Sequence, residues 1–233
     1  MGREIVRAVS LDEDLELAGK CGSKDNLSIL LESIKPDIVI DFTRPEAAFT
    51  NAETILYQGC HAIIGTTGIT AEQRSELESL ALKKGVAVLI APNFCIGAVL
   101  MMKFAAEAAK YMPNVEIIEY HHDQKADAPS GTAITTAEYI INHAGETNPP
   151  FVVSKEVLSG NSQGANMGNI RIHAVRLPGY VASQEVIFGD KGHTLKIRHD
   201  TINRESFMPG ILQAAKKIGD KSGMFYGLET LIF

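Results

Sequence analysis

The densest group of chemically active side chains lies in residues 119–133, EYHHDQKADAPSGTA. His121, His122 and Lys125 follow a strongly apolar run and come shortly before a predicted helix. Histidine titrates near neutral pH and can release a proton there, and a nearby lysine adds positive charge or a second proton donor. Because catalytic groups concentrate on loops held by a rigid scaffold, we interpret this stretch as a candidate acid–base site.

The residues after Pro129 favour the binding of an anion. Ser130, Gly131 and Thr132 open the predicted helix, and the first amides of a helix have no partner within it. With the helix dipole, these amides attract negative charge. Gly131 allows a ligand to approach the backbone, and the Thr132 hydroxyl can donate a hydrogen bond. The combined site would hold a carboxylate-bearing substrate and protonate it.

Two simpler interpretations compete with this one. A metal site is disfavoured, because neighbouring side chains on a strand point to opposite faces and His121 and His122 would not share an ion. The other is a solvated loop in which Ser130 only caps a helix. Because the polar residues directly follow the apolar strand predicted at 115–120, we favour a functional site.

The first part of the chain predicts a parallel sheet. Its predicted helices lie at 1–10, 26–34, 43–58 and 70–84, and its predicted strands at 37–42, 61–64 and 86–90. Apolar strands separated by helices of this length are typical of a parallel sheet that is covered on both faces. The pattern Thr70-Ala71-Glu72-Gln73 predicts a capping box at the start of one helix, which should end before Gly85.

The middle of the chain predicts a second domain. Its predicted helices lie at 96–111 and 130–144, its predicted strands at 115–120, 169–177, 184–189 and 193–199, and a further helix at 204–219. Successive strands without long helices between them indicate a mixed or antiparallel sheet. We therefore predict one domain from residues 1–94 plus 204–233, and another from residues 95–203.

Three strand ends of the first domain carry small or hydroxyl residues. They are residues 41–45 (DFTRP), 65–68 (GTTG) and 91–94 (APNF). Ligands of open parallel sheets bind at the carboxyl ends of the strands. Each turn alone is typical of an ordinary strand-to-helix connection. Three of them along one edge favour a dinucleotide or a similar ligand.

The composition excludes several classes of protein. The formal net charge of −6 argues against binding of a nucleic-acid backbone. No apolar run reaches the roughly 18 residues of a membrane span. The three cysteines form no Cys-x-x-Cys pair, so neither a zinc site nor a disulfide framework is predicted. We expect a reduced, cytoplasmic setting, with Cys21 and Cys60 as buried, inert thiols.

Four stretches of the sequence resemble one known family. Residues 121–133, HHDQKADAPSGTA, closely resemble the signature of the 4-hydroxy-tetrahydrodipicolinate reductases, also called dihydrodipicolinate reductases. DFTRPE (41–46), IGTTG (64–68) and APNF (91–94) extend the resemblance over essentially the whole chain. The family reduces a cyclic, conjugated imine dicarboxylate in lysine and diaminopimelate biosynthesis. The resemblance implies an α/β fold, with a Rossmann-like doubly wound sheet and a second α+β domain for substrate binding and oligomerisation.

The resemblance also implies roles for individual residues. His121 would be the general acid/base, Lys125 a second proton donor, and His122, Gly131 and Thr132 contacts to the substrate carboxylates. The implied contacts to the cofactor, NADPH or NADH, are Gly65, Thr66, Thr67, Ala91, Pro92, Asn93 and Phe94, with Gly2 and Arg3 at the start of the first helix. Family members are usually homotetramers, so a homotetramer that binds a small dicarboxylate is expected.

The start of the chain departs from the family pattern. The family begins with a strand and a Gly-x-x-Gly-Arg-Met-Gly-Arg loop, of which residues 1–3 match only the last three positions. We therefore expect the first strand of the sheet, and the glycines that approach the cofactor pyrophosphate, to be missing from this chain. Asp25 is the nearest acidic residue that would hold the adenosine ribose, whereas Lys20 or Lys24 would suit a 2′-phosphate.

Three hypotheses about function follow. The first is a competent reductase, and the second is a truncated, cofactor-deficient homologue that only binds dicarboxylate ligands. The third is a Rossmann-type dehydrogenase of another small acid, because a fold does not fix a chemistry. The combination of His-His-x-x-Lys with Ser-Gly-Thr favours the reductase.

Overall fold

The chain forms two compact units in the computed structural model, which describes residues 1–144 and 162–233. Unit 1 comprises Met1–Ile96 and Arg204–Phe233, and unit 2 comprises Gly97–Asn203. Unit 1 is therefore formed by two separate segments of the chain, and unit 2 by the one continuous segment between them.

Unit 1 contains a four-stranded parallel sheet, sheet A. Its strands are β1 (Ile38–Asp41), β2 (His61–Ile64), β3 (Ala87–Ile90) and β9 (Gly223–Tyr226), in the spatial order β1-β2-β3-β9. Its helices are α1 (Gly2–Leu11), α2 (Leu27–Ile34), α3 (Pro45–Tyr57), α4 (Ala71–Lys84), α7 (Met208–Ile218) and α8 (Glu229–Ile232). The register pairs Asp41 with Ile64 and Ile64 with Ile90, so the carboxyl ends of β1, β2 and β3 are level with one another.

Helices cover both faces of sheet A. Ala62 and Ile64 of β2 belong to a buried cluster that includes residues of α3 and α4. Because side chains alternate along a strand, Ile63 points to the opposite face, where α7 packs against β2 and α1 packs against α7. This arrangement confirms the predicted α/β fold class.

Local signals set the ends of the helices in unit 1. The Thr70 hydroxyl accepts a hydrogen bond from the Gln73 amide, and the Gln73 side chain accepts one from the Thr70 amide, as a capping box requires. Gly85 ends α4 in the left-handed conformation, with φ at 69°. Asn26 caps α2 through its side chain. The sequence predicted the capping box at Thr70 and the end of α4 before Gly85, whereas the side-chain cap of Asn26 is seen only in the structure.

Unit 2 contains a mixed five-stranded sheet, sheet B. Its strands are β4 (Asn114–His121), β5 (Ala165–Met167), β6 (Ile170–Arg176), β7 (Ala182–Asp190) and β8 (His193–Thr201), in the order β5-β6-β4-β7-β8. β4 is parallel to β6 and antiparallel to β7. Helix α5 (Ile96–Ala109) begins at the last residue of the first segment of unit 1, and α6 (Gly131–Ala144) packs against β4.

Several predicted elements differ from those in the structure. The predicted helix 204–219 is instead a 3₁₀ helix, Arg204–Phe207, followed by α7. Pro209 explains the break, because proline is tolerated in the first turn of a helix but not in its interior. The short strands β5 and β9 were not predicted.

The prediction that Cys21 is buried is wrong. Cys21 is exposed, whereas Cys60 is buried as predicted. Residues 12–26 contain no helix or strand, so Cys21 is not held within sheet A, whereas Cys60 directly precedes β2. Among the described residues, no helix is long and apolar enough to cross a membrane.

Candidate functional site

The candidate acid–base histidine is the last residue of a strand. The prediction that β4 ends at Tyr120 is wrong, because β4 continues through His121, which pairs with Arg176 of β6 and Ala182 of β7. Side chains two residues apart share one face of a sheet, so Glu119 lies beside His121. The sheet therefore holds both side chains at a fixed position.

The Glu119 carboxylate is the centre of a hydrogen-bonded cluster. It is fully buried, with 0% of its side chain exposed. One oxygen, Oε2, lies 2.5 Å from His121 Nδ1 and 2.8 Å from Arg176 Nη1. The other, Oε1, lies 2.7 Å from Arg176 Nη2 and 3.1 Å from the Ser130 amide nitrogen. One carboxylate thus connects β4, β6 and the start of α6.

The charge state of Glu119 follows from these contacts. Burial alone would raise its pKa, but the hydrogen bonds from His121 and Arg176 outweigh burial and lower the pKa of this carboxyl. The same bidentate contact raises the pKa of Arg176, so both groups stay charged. The cluster holds an ion pair that is neutral as a whole.

Arg176 also connects the candidate histidine to Lys125. Its Nη2 donates a hydrogen bond to the backbone carbonyl of Asp127 at 2.7 Å. The Asp127 carboxylate in turn accepts a hydrogen bond from Lys125 Nζ at 2.6 Å, which lowers the pKa of Asp127. Continuous contacts therefore run from His121 through Glu119, Arg176 and Asp127 to Lys125.

The start of α6 is partly occupied by groups of the protein itself. The Ser130 amide donates to Glu119, and the Ala133 amide donates to the Ser130 hydroxyl at 3.2 Å. A side chain on Gly131 would meet open space, so a ligand can approach the backbone there. Thr132 follows in the first turn of α6, and His122 is exposed on the loop before it. Because the Ser130 amide already donates to Glu119, only Gly131 and Thr132 of the predicted anion site remain candidates to contact a ligand.

Sequence reasoning assigned no role to Glu119 or Arg176. The available signal for Glu119 was a carboxylate two residues before a histidine, on the buried face of an apolar strand. Arg176 gave no local signal, because 57 positions separate it from Glu119 and only the pairing of β4 with β6 brings them together.

In unit 1, the turns after β1, β2 and β3 pack into one layer. The rings of Phe42 and Phe94 are in contact, with centroids 5.2 Å apart. A side chain on Gly65 would overlap the Phe42 ring, so Gly65 makes room for Phe42. A side chain on Gly210 of α7 would overlap the backbone carbonyl oxygen of Phe94, so Gly210 allows α7 to approach this turn closely. Both glycines therefore make room for neighbouring parts of the protein, Phe42 and Phe94, and neither opens space for a ligand.

Polar groups of the same turns are arranged at the strand ends. The buried Asp41 carboxylate accepts hydrogen bonds from the Thr43 amide at 2.7 Å and from Asn51 Nδ2 at 2.8 Å. Within the described part of the chain, no hydrogen bond uses the backbone amides of Thr66 and Thr67. Two donors therefore remain for a ligand at the end of β2.

The other predicted cofactor contacts lie at defined places in unit 1. Ala91 continues β3, and its amide donates to the Ile64 carbonyl at 3.1 Å. The Asn93 side chain accepts a hydrogen bond from the Cys95 amide, so it shapes the turn before α5. Gly2 and Arg3 are exposed in the first turn of α1. Residues 1–144 and 162–233 contain no group of three potential metal ligands.

A parallel sheet with turns of this kind, together with a second unit that carries a histidine–lysine site, defines a class of protein. That class is the Rossmann-like oxidoreductases with a second α+β domain. Two family models match the chain: "Dihydrodipicolinate reductase, N-terminus" over residues 1–94 and "Dihydrodipicolinate reductase, C-terminus" over residues 97–232. The chain belongs to the dihydrodipicolinate reductase family.

Similar proteins agree with this assignment. The chain is 48% identical to the 4-hydroxy-tetrahydrodipicolinate reductase of Syntrophomonas wolfei over 252 residues, which cover 100% of this chain and 94% of that protein. It is 47% identical to the 4-hydroxy-tetrahydrodipicolinate reductase of Listeria monocytogenes serotype 4b over 252 residues, which cover 100% of this chain and 95% of that protein. A structure of dipicolinate-bound dihydrodipicolinate reductase from Paenisporosarcina sp. TG-14 has a TM-score of 0.85 at 40% identity, covering 98% of this chain and 94% of that one. The predicted family and oxidoreductase class are confirmed.

Proposed function

We propose that the chain reduces 4-hydroxy-tetrahydrodipicolinate to tetrahydrodipicolinate with NADPH or NADH, and that His121 supplies the proton. The observation that carries the proposal is the continuous contact from His121 to Lys125, beside the open Gly131–Thr132 turn. The 4-hydroxyl group leaves as water to give dihydrodipicolinate, whose conjugated ring then gains a hydride and, on the neighbouring carbon, a proton. The protein must therefore hold a dicarboxylate and place one acid next to it.

His121 is suited to the acid role by its position. Its side chain is only 14% exposed, and the end of β4 fixes its backbone. A positioned histidine contributes about 10²–10⁴-fold to a rate through proton transfer. Lys125, whose side chain is 21% exposed, lies on the loop that follows β4 and assists as a second donor.

The substrate carboxylates would bind at the start of α6. The Gly131 backbone is open to a ligand, and the adjacent Thr132 brings a hydroxyl group. His122 is exposed on the preceding loop. Together with Lys125 these groups offer the hydrogen-bond donors and positive charge that an anionic substrate requires.

The residues of unit 1 fit a nicotinamide cofactor. The amides of Thr66 and Thr67, which have no acceptor within the described chain, would donate to it at the end of β2. The remaining contacts that we propose are Gly65, Ala91, Pro92, Asn93 and Phe94 in the strand-end turns, and Gly2 and Arg3 at the start of α1. When bound, the cofactor supplies the hydride.

The test is a coupled assay. Dihydrodipicolinate synthase generates the substrate in the cuvette, and the oxidation of NADPH or NADH is followed by absorbance. We expect turnover that depends on the synthase. If no turnover is seen, calorimetry with pyridine-2,6-dicarboxylate and with NADPH separates two explanations. Binding of the dicarboxylate alone would favour the cofactor-deficient homologue, and binding of neither would exclude both hypotheses.

Two further expectations remain predictions from the family. One is a homotetramer, which sedimentation of the purified chain tests. The other is a cytoplasmic setting.

A further inference from the structure

The buried Glu119 carboxylate determines which nitrogen of His121 carries a hydrogen. An ionised carboxylate only accepts hydrogen bonds. Since Glu119 Oε2 faces His121 Nδ1 at 2.5 Å, that nitrogen must be protonated for the contact to be favourable. The lowered pKa of Glu119 keeps the carboxylate ionised near neutral pH. The other ring nitrogen, Nε2, is therefore the atom that gains and loses a proton.

Arg176 prevents the carboxylate from taking a different orientation. Its guanidinium binds both Glu119 oxygens, at 2.8 Å and 2.7 Å, in a bidentate contact. The Ser130 amide binds Oε1 from a third direction. With four donors around two oxygens, the carboxylate has no freedom to rotate away from the imidazole. The positive charge of Arg176 also offsets the negative charge of Glu119.

We propose that Glu119, held by Arg176, is a positioning residue that fixes His121 in the Nδ1-protonated tautomer and so presents Nε2 as the proton donor. The inference rests on the proposed function, because it assigns Nε2 as the donating atom of that reaction. Glu119 itself touches neither the substrate nor the cofactor in this scheme. Proton transfer from Nε2 to the substrate carbon leaves a neutral imidazole that keeps its hydrogen bond to Glu119.

A purely structural role for Glu119 predicts something different. Glu119 also holds the start of α6 through Ser130, and its loss would then lower stability without affecting the tautomer of His121. The chain offers a matched comparison, because sheet B contains a second glutamate–histidine pair, formed by Glu116 of β4 and His173 of β6. Glu116 Oε2 lies 2.9 Å from His173 Nε2. Glu116 is three residues before Glu119 on the same strand, so its side chain lies on the opposite face of sheet B.

The direct test needs no substitution in the cluster. The full chain is labelled with ¹⁵N in its histidine rings and studied by NMR at increasing pH, up to the pH at which the His121 ring signals no longer change. The His121 signals are assigned by their loss in His121→Gln. We expect hydrogen on Nδ1 and none on Nε2. A neutral ring with hydrogen on Nε2 would overturn the proposal, and this outcome does not depend on whether the chain turns over substrate.

Kinetics of two matched variants provide the second test. Glu119→Gln places an amide where Arg176 and His121 both need a hydrogen-bond acceptor. We therefore expect kcat to fall at least about tenfold, whereas the KM for NADPH should change less than about threefold. Glu116→Gln should leave kcat and the His121 tautomer unchanged. If Glu119→Gln retains kcat within about twofold while it is folded by circular dichroism, the proposal is wrong.

The two tests separate the inference from the proposed function. Absence of turnover in the wild-type chain would contradict the proposed function. The NMR result on the wild-type chain would still decide whether Glu119 sets the tautomer. If Glu119→Gln does not fold, the NMR measurement alone carries the decision.

Discussion

A single ring nitrogen is expected to carry the chemistry of unit 2. We predict that His121→Gln lowers turnover at least tenfold, because an amide can replace the contact to Glu119 but has no proton to give near neutral pH. The rate of NADPH oxidation measures the effect, and circular dichroism verifies the fold. His173→Gln is the control, since His173 pairs with Glu116 on the opposite face of sheet B. Wild-type rates in His121→Gln would remove this residue from the mechanism.

A second histidine should affect stability and not catalysis. His61 Nδ1 accepts a hydrogen bond from the Ala87 amide at 3.0 Å, and burial lowers the pKa of His61, although Asp37 opposes the shift. The folded state therefore favours the neutral ring. The stabilisation is present above the unfolded pKa of about 6.5 and is lost as pH falls through the lower folded pKa.

Thermal unfolding at several pH values tests this expectation. We predict that the Tm of the wild-type chain falls between about pH 7.5 and pH 5 more steeply than that of His61→Asn. The Asn side chain keeps an acceptor near the position of Nδ1 but does not titrate. Parallel pH dependences for the two proteins would show that His61 is not responsible.

Residues of the site that are close in sequence were predictable, and those brought together by packing were not. His121, Lys125, Gly131 and Thr132 lie within one short stretch whose residue types indicate their chemistry. Arg176 reaches the cluster only through the pairing of β4 with β6, which a single sequence does not specify. Phe42 fills the space above Gly65, and no local pattern predicts that contact either.

At the level of whole elements, α7 supports a turn that we assign to the cofactor. Gly210 has no side chain, and a Cβ there would overlap the Phe94 carbonyl oxygen. We predict that Gly210→Ala lowers the free energy of unfolding by about 1–3 kcal/mol, because the helix and the turn must separate. NADPH binding should weaken in the same variant, since the 91–94 turn moves with Phe94.

Gly219→Ala is the matched control for this substitution. Gly219 lies at the end of the same helix with φ at −63°, and a side chain there would meet nothing within 4 Å. Urea denaturation and calorimetric titration with NADPH measure both variants. Equal stabilities for the two alanine variants would contradict the proposed contact between α7 and the turn.

The longer elements were predictable because their patterns are repetitive. The apolar strands and the capped helices of unit 1 carry clear periodicity and turn residues, so β1–β3 and α1–α4 were found with small shifts at their ends. β5 and β9 have three and four residues, too few to show a periodic pattern. The helix predicted at 204–219 is divided because Pro209 belongs in the first turn of a helix and not in its interior, so α7 starts at Met208.

At the scale of the molecule, the reactivity of the three cysteines measures which parts of the folded chain are exposed to solvent. Cys21 is exposed, whereas Cys60 and Cys95 are buried. We predict that a thiol reagent modifies one cysteine in the folded chain and all three in guanidinium chloride. Although Cys21 is exposed, its thiol is partly desolvated, and this desolvation, with the negative charges of Asp25 and Asp41, raises the pKa of Cys21; its modification should therefore be slow near neutral pH and faster as the pH rises.

The variant Cys21→Ser identifies the reactive thiol. We expect the folded variant to react with no equivalent of the reagent over the period in which the wild-type chain reacts with one. Rapid modification of two or three thiols in the folded wild-type chain would mean that unit 1 opens readily.

The return of the chain to unit 1 has a consequence for synthesis on the ribosome. Strand β3 is made early, but its partner β9 at Gly223–Tyr226 appears only after all of unit 2 has been translated. Until then the edge of β3 exposes unpaired backbone groups, which is a known route to aggregation. The segment that forms unit 2 is continuous and leaves the ribosome complete. The domain that is translated first is therefore the one that folds last, and a nascent chain would need protection along β3 in the interval.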